Sequence, residues 1–272
     1  MKFVAATTGM VGRIVFVVML LAAALGVQAR KFVHPGVLTV DKSIERMRNQ
    51  IANKEYPAYG SFVLLKNHHC SQSDYKPFGP FEVIARDGEF RHTKSKMEQD
   101  FSAAYQNALM WALTGDKAHA EKSLELLLGY ARTLKRIPDT NDAPLLAGLE
   151  GWKIAYATEM LRHTYDGMAD SQFNEICGMF RKVFLPVMNA FFSRKAYTNG
   201  NWGPIVTKAY MASGILFDNK KMYNKAIDFY LHANDNGTIA NYISGETGQI
   251  QESGRDQAHC MLGIGALATV CE

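Results

Sequence analysis

KSKMEQDFSAAYQNALMWALTGDKAHAEKSLELLLGYARTLKRIP, residues 94–138, carries the pattern that decides the fold. Met97, Phe101, Ala104, Ala108, Trp111 and Ala112 recur at helical spacing, which lines one apolar stripe along a helix. Gly115 ends that run and Asp116 caps a second one, whose stripe is Ala120, Leu124, Leu127, Ala131 and Leu134, closed by Pro138. Two amphipathic helices joined by so short a link form an antiparallel hairpin. The same grammar extends in both directions.

Upstream, Ile44, Met47 and Ile51 give a helical stripe behind Asp41, Pro57 breaks it, and a short helix follows over Ala58 to Lys66. Residues 67–93 read as an irregular connection with turn signals at Phe78-Gly79-Pro80 and Arg86-Asp87-Gly88. Downstream, Leu145, Leu149, Trp152, Tyr156 and Met160 mark a helix that is also apolar on its other side, at Leu146, Ile154, Ala157 and Leu161, so burial on two faces is expected. Ser171 opens a long helix carrying Pro186, Pro204 suits the first residue of a helix reaching Phe217, and Met222 to Ala233 form another. A last helix is expected to begin near Ser253, burying Met261, Ile264 and Ala268. No alternating strand stands out. The expectation is an all-α protein of about seven or eight helices in antiparallel hairpins, arranged as an open solenoid or as a toroid around a cleft. A helical interaction repeat is disfavoured because its period does not recur.

The chain has 272 residues, 47% hydrophobic and 21% charged, which is ordinary globular composition. Lys2 and Arg13 precede an apolar run from Ile14 to Leu25 and a small-residue site ending at Ala29. That is the pattern of an export signal, too short for a comfortable membrane span. Residues 1–29 are therefore expected to be a signal peptide and 30–272 the functional domain, periplasmic or secreted, with no membrane attachment after cleavage. A formal net charge of +4 with no basic stripe does not suit a nucleic-acid partner. The four cysteines, Cys70, Cys177, Cys260 and Cys271, show no metal-ligand spacing. Cys260 and Cys271 on one helix would lie about 16 Å apart, too far to bridge, so buried free thiols are expected. His68-His69 with Asp74 reads as a polar surface loop, and no metal site is expected.

Two polar stretches stand out against this apolar background. Thr198-Asn199-Gly200-Asn201-Trp202-Gly203 joins two long helices, and Gly248 to His259 places two carboxylates, a guanidinium, three carboxamides and an imidazole ahead of an apolar run. Carboxamides and an indole suit a sugar site, but Trp202 could equally anchor the core and Asn201 could cap the next helix. Arg255-Asp256 could be a charge pair near a helix start, and His259 a satisfied core histidine.

Asn201-Trp202, Gly248-Gln249 and Glu252-Ser253-Gly254-Arg255-Asp256-Gln257 with His259 resemble the motifs of the alginate lyase superfamily, most closely its exported bacterial members that cut polymannuronate or polyglucuronate. The resemblance extends to His34-Pro35-Gly36, to Asp100 through Thr114-Gly115-Asp116, and to Asn141-Asp142-Ala143 with Leu146-Ala147-Gly148. It implies an incomplete α/α toroid, a cleft for an acidic polysaccharide, and β-elimination with Asn201, His259 and Arg255 as catalytic residues and no cofactor. Trp202, Asn199, Glu252 and Gln257 are expected to contact substrate. It also implies that the family's catalytic tyrosine lies beyond Glu272, so the chain is expected to be the N-terminal portion of a longer toroid. Tyr197, Tyr210 and Tyr242 do not match the family position, and the base stays unassigned. The alternative is a non-catalytic helical protein that binds acidic glycans.

Overall fold

The computed structural model describes residues 32–193 and 200–272. The expected signal peptide lies outside the described residues. Ten helices are present among them: α1 (Asp41–Ala52), α2 (Ala58–Asn67), α3 (Lys94–Thr114), α4 (Lys117–Thr133), α5 (Ala143–Thr164), α6 (Asp170–Phe192), α7 (Trp202–Leu216), α8 (Lys220–His232), the single turn α9 (Ile239–Tyr242) and α10 (Gln257–Cys271). Two isolated β-bridges, Val83 to Arg136 and Ile243 to Ile250, accompany them, with no strand among the described residues. The count exceeds the expected seven or eight; the single turn α9, below the length at which periodicity registers, accounts for one of the additional helices.

The hairpin of residues 94–138 forms as its sequence dictates. Gly115 closes α3 with its backbone N–H on Trp111 O at 2.8 Å, and the Asp116 side chain accepts from Ala118 N at 3.0 Å. The capped hydrogen bond stabilises the start of α4 by roughly 1 kcal/mol. Helices α5 and α6 repeat the hairpin, and so do α7 and α8.

Helices α3, α5, α7 and α10 form an inner row of parallel helices, with α4, α6 and α8 outside. The register is visible in side-chain pairs that advance together. Between α3 and α5, Ser102 meets Lys153 at 3.1 Å and Trp111 donates to Thr164 Oγ1 at 2.9 Å. Between α5 and α7, a Cβ on Gly148 would stand 2.7 Å from Ile205, and Lys208 lies 4.5 Å over the Trp152 ring. Between α7 and α10, Asn201 faces Gly263 while Met211 packs with Leu267 and Val270. An inner row of parallel helices backed by antiparallel outer ones is part of an α/α toroid. As its two apolar sides require, α5 is buried nearly all round, from Leu145 and Leu146 to Met160 and Leu161.

The irregular 67–93 connection is pinned to this scaffold by buried polar groups. Asp100 accepts from Tyr75 OH (2.9 Å), Tyr130 OH (2.7 Å), Phe78 N (2.9 Å) and Gly79 N (2.8 Å). Asn107 donates to Cys70 O at 3.0 Å and is 2.7 Å from His119 Nδ1. Burial lowers the His119 pKa, which suits a neutral ring there.

The same interior holds Lys208, whose pKa falls to about 8 through burial and the neighbouring Lys153 charge, against the pull of Glu150. The folded pKa lies below the unfolded value of 10.5, so the unfolded chain binds the extra proton between those limits. Stability attributable to this residue therefore rises with pH across that window. Lys208→Met should stabilise the protein by on the order of 1–3 kcal/mol at neutral pH. Urea unfolding of both proteins should show the difference shrinking as pH approaches that of free lysine. An identical pH profile in both would mean that Lys208 is well solvated.

Several expected boundaries are corrected. Helix α7 begins at Trp202, two residues before Pro204, and the final helix begins at Gln257 rather than near Ser253. Gly254 adopts φ +88°, a left-handed conformation that turns the chain before Asp256 caps α10. The buried face of α10 is also different: Met261 and Ile264 are 60% and 43% exposed and Ala268 is exposed, while Gly263, Ala266, Leu267 and Val270 are buried. Apolar residues surround this helix, so spacing alone could not select a face. The small residues Gly263 and Ala266 are the ones that allow close approach. Of the cysteines, all free, Cys70 and Cys177 are buried, Cys260 is half-buried and Cys271 is exposed.

Candidate active site

Parallel packing of the inner helices gathers the N-terminal ends of α5, α7 and α10 at one rim, and with them the two polar stretches. A Cβ on Gly200 would lie 2.6 Å from Gln251 Cβ, and one on Gly263 would lie 3.4 Å from Asn201 Cβ. Residues separated by more than fifty positions in sequence thus share one neighbourhood.

Asn201 is 2% exposed and occupies the position just before α7, yet its side chain makes no cap hydrogen bond. Its Oδ1 has no hydrogen-bond partner among the described residues. An N-cap role would have consumed that oxygen, so the carboxamide oxygen is not spent on capping α7. Its neighbour Trp202 is 8% exposed and belongs to the main core, in the position of a core anchor. Asn199 lies outside the described residues.

His259 sits in the first turn of α10, one turn before Gly263 and on the same side. Asp256 fixes it twice: Oδ1 accepts from His259 N at 2.9 Å and Oδ2 accepts from Nδ1 at 2.5 Å. These hydrogen bonds from His259, backbone first and then ring, hold the Asp256 carboxyl below its usual pKa. With Nδ1 committed, Nε2 is the nitrogen available to a ligand. Arg255 donates from Nη1 to Glu252 Oε2 at 3.0 Å. Glu252 is buried, so its carboxylate serves to hold the half-exposed guanidinium in place. Gln257 is exposed as the first residue of α10. These four residues form two pairs, Glu252 with Arg255 and Asp256 with His259.

Tyr242 is the residue that spacing did not single out. It is fully buried beneath α10, and its hydroxyl has no hydrogen-bond partner among the described residues. Burial, with the charges of Glu252 and Cys260 adding to it, pushes its pKa up to about 12. A Cβ at residue 263 would stand 1.7 Å from this hydroxyl. Gly263→Ala should therefore force Tyr242 or α10 to move, at a cost of about 1–3 kcal/mol typical of overpacking. Thermal unfolding tests this, and a variant as stable as the wild type would show that α10 is seated loosely.

A cavity lined by Gly36, Trp152, Lys208, Ile215 and Cys271 lies towards the other end of α7 and contains none of these polar side chains.

An arc of inner helices with their positive ends and a cluster of amide, imidazole and guanidinium groups at one rim defines a protein of the α/α-toroid type with a polar rim site. Comparison with known families gives the particular one: the alginate lyase profile matches residues 65–259, more than half of the sequence, and the chain belongs to the alginate lyase family. Among solved structures, a histidine-to-alanine variant of alginate lyase A1-III complexed with a tetrasaccharide is similar, with a TM-score of 0.60 and 11% identity, covering 84% of this chain and 66% of that one. A tyrosine-to-phenylalanine variant complexed with a tetrasaccharide gives 0.58 and 13%, covering 84% and 68%. Alginate lyase A1-III from Sphingomonas species A1 gives 0.57 and 13%, with the same coverage. At such identities the likeness shows the fold, and the chain spans about two thirds of the length of these proteins. Comparison with curated protein sequences gave no match.

Proposed function

We propose that the protein is a polysaccharide lyase that cleaves an acidic polyuronate, polymannuronate or polyglucuronate, by β-elimination, leaving a 4,5-unsaturated uronate. The observation that supports this reading is the close approach of Gly200 to Gln251 and of Asn201 to Gly263, on either side of the Arg255–His259 segment. The family match is consistent with it. The solved relatives in complex with a tetrasaccharide give the reading an oligosaccharide ligand.

The chemistry follows from the groups present. The C5 proton of a uronate is weakly acidic until its C6 carboxylate is neutralised. Asn201, through its amide N–H groups, and His259, through Nε2–H when protonated, are donors for that carboxylate and for the charge that develops when H5 leaves. Arg255 adds positive charge close by. The N-terminal ends of three inner helices contribute positive partial charge to the same rim, which favours an anionic chain. A base removes H5 and an acid protonates O4; in mannuronate and glucuronate these lie on the same side of the ring, so one group can perform both transfers. Trp202, being in the core, supports the Asn201 backbone rather than stacking on a sugar in this reading. The export signal read at residues 1–29 would place the enzyme where such polymers are met, in the periplasm or outside the cell.

The test is direct. Incubated with a panel of polyuronates, the protein, or a version extended at its C-terminus through the tyrosine that the family resemblance implies, should generate the ultraviolet absorbance of an unsaturated uronate. A hydrolase or a glycan-binding protein would release or retain sugar without producing it, and that outcome would overturn the proposal.

A further inference from the structure

At the end of α5 and α7 remote from the Asn201–His259 rim, a second constellation brings together residues far apart in sequence. Helix α7 is fifteen residues long, about 22 Å, and Asp218 follows its last turn. Glu159 and His163 occupy the last two turns of α5. His34 reaches them from the arm that precedes α1. Glu159 is 1% exposed. Its Oε1 accepts from Gly36 N at 3.2 Å and lies 2.5 Å from His34 Nδ1. Its Oε2 has no hydrogen-bond partner among the described residues, with His163 Nε2 3.5 Å away. The two imidazoles stack with centroids 4.4 Å apart and planes inclined by 17°. The outer nitrogen of His34 donates to Asp218 Oδ1 at 3.2 Å.

We propose that His34 Nδ1, His163 Nε2 and the Glu159 carboxylate form a binding site for a divalent transition-metal cation of the Zn²⁺ class, which fastens the N-terminal arm to the inner helices. Four observations carry it. The ligand atoms lie within 4.8 Å of one another, and two imidazoles with a carboxylate are a common zinc set. Zinc bonds of about 2.0–2.1 Å in a tetrahedron separate ligand atoms by about 3.3 Å, so the His163–Glu159 spacing already fits and the His34–Glu159 contact must open by less than about 1 Å. A buried carboxylate oxygen without a partner is costly, and a cation satisfies it. Two stacked imidazolium ions would repel, whereas a shared cation uses the lone pair of each neutral ring. Finally, Asp218 accepts from the far nitrogen of His34, the outer-carboxylate arrangement that orients a metal-binding histidine.

His68, His69 and Cys70 also come within ligand range of each other. There, however, His69 Nε2 is shared between Gln99 and Cys70, and His68 Nδ1 accepts the Cys70 N–H. Unlike Glu159 Oε2, no ligand atom of that cluster is both buried and without a partner.

The experiment is metal titration of the chelator-treated whole protein. Zn²⁺ is followed by calorimetry and Co²⁺ by its visible absorption, with thermal unfolding alongside. A single saturable site is expected, with a tetrahedral Co²⁺ spectrum and a higher Tm in Zn²⁺. His163→Ala, a partly exposed position that the fold tolerates, should abolish both effects. Asp218→Asn should weaken binding by about 10–100-fold, and His69→Ala should leave it unchanged. Absence of saturable binding overturns the proposal, as does binding that survives His163→Ala or is lost in His69→Ala.

Discussion

Asn201→Ala and His259→Ala should each lower turnover on a polyuronate by about a hundredfold or more while leaving the helical circular dichroism intact. Removing one preorganised donor from a developing oxyanion typically costs about 3–4 kcal/mol in the barrier. The structure makes both substitutions clean tests. The Asn201 side chain supplies no cap to α7, so its loss does not unwind that helix. His259 contributes its backbone N–H, rather than its ring, to the Asp256 cap at 2.9 Å, and alanine preserves that bond. Asp256→Asn is a companion: it keeps a capping oxygen but loses the carboxylate that orients the imidazole, so turnover should fall while the helix start survives. Near-wild-type rates in either alanine variant, on a substrate the parent cleaves, would remove that residue from the mechanism.

The largest effect on stability should come from Asp100→Ala. One buried carboxylate accepts four hydrogen bonds, two from tyrosine hydroxyls and two from the backbone of Phe78 and Gly79. Alanine leaves all four donors without this acceptor, the two tyrosine hydroxyls in a buried setting and the two backbone groups in a partly buried one, and each buried orphan costs about 1–3 kcal/mol. Allowing for relaxation of the 67–93 segment, the expected loss is roughly 3–5 kcal/mol. Asp100→Asn keeps the shape and one accepting oxygen and should lose about half as much. Equilibrium urea unfolding distinguishes them by midpoint. A loss below about 1 kcal/mol for alanine would mean that water or another acceptor enters the site.

The two predictions fall on different sides of what could be read from residues alone. Helix existence was legible because its determinants are short-range: the stripe from Met97 to Ala112, the Gly115 stop and the Asp116 cap act within a few residues of one another. The two-sided burial of α5 was legible for the same reason, since apolar residues all round a helix leave it no solvent face. The motif from Glu252 to His259 was visible as a concentration of polar chemistry ahead of an apolar helix, and its likeness to the alginate lyases agreed with the family match.

Where a helix turns its apolar residues was not legible when every side was apolar. Helix α10 was expected to bury Met261 and Ile264, and both are exposed, because the closeness of Tyr242 selects the face carrying Gly263 and Ala266. Glycine as a contact surface leaves no trace in a pattern of hydrophobicity. Pairings across long loops were hidden too: Asp100 with Tyr75 and Tyr130, Asn201 with Gly263, and His34 with Glu159 across 125 residues. By itself the sequence determined an all-helical chain of hairpins with two polar stretches. Only the tertiary structure decided that the inner helices run parallel, so that their N-terminal ends bring those stretches to one rim and their opposite ends bring His34, Glu159, His163 and Asp218 together. The physical reason is range: capping and periodicity act within a turn or two of helix, whereas the meeting of distant side chains is set by how close helix surfaces can approach.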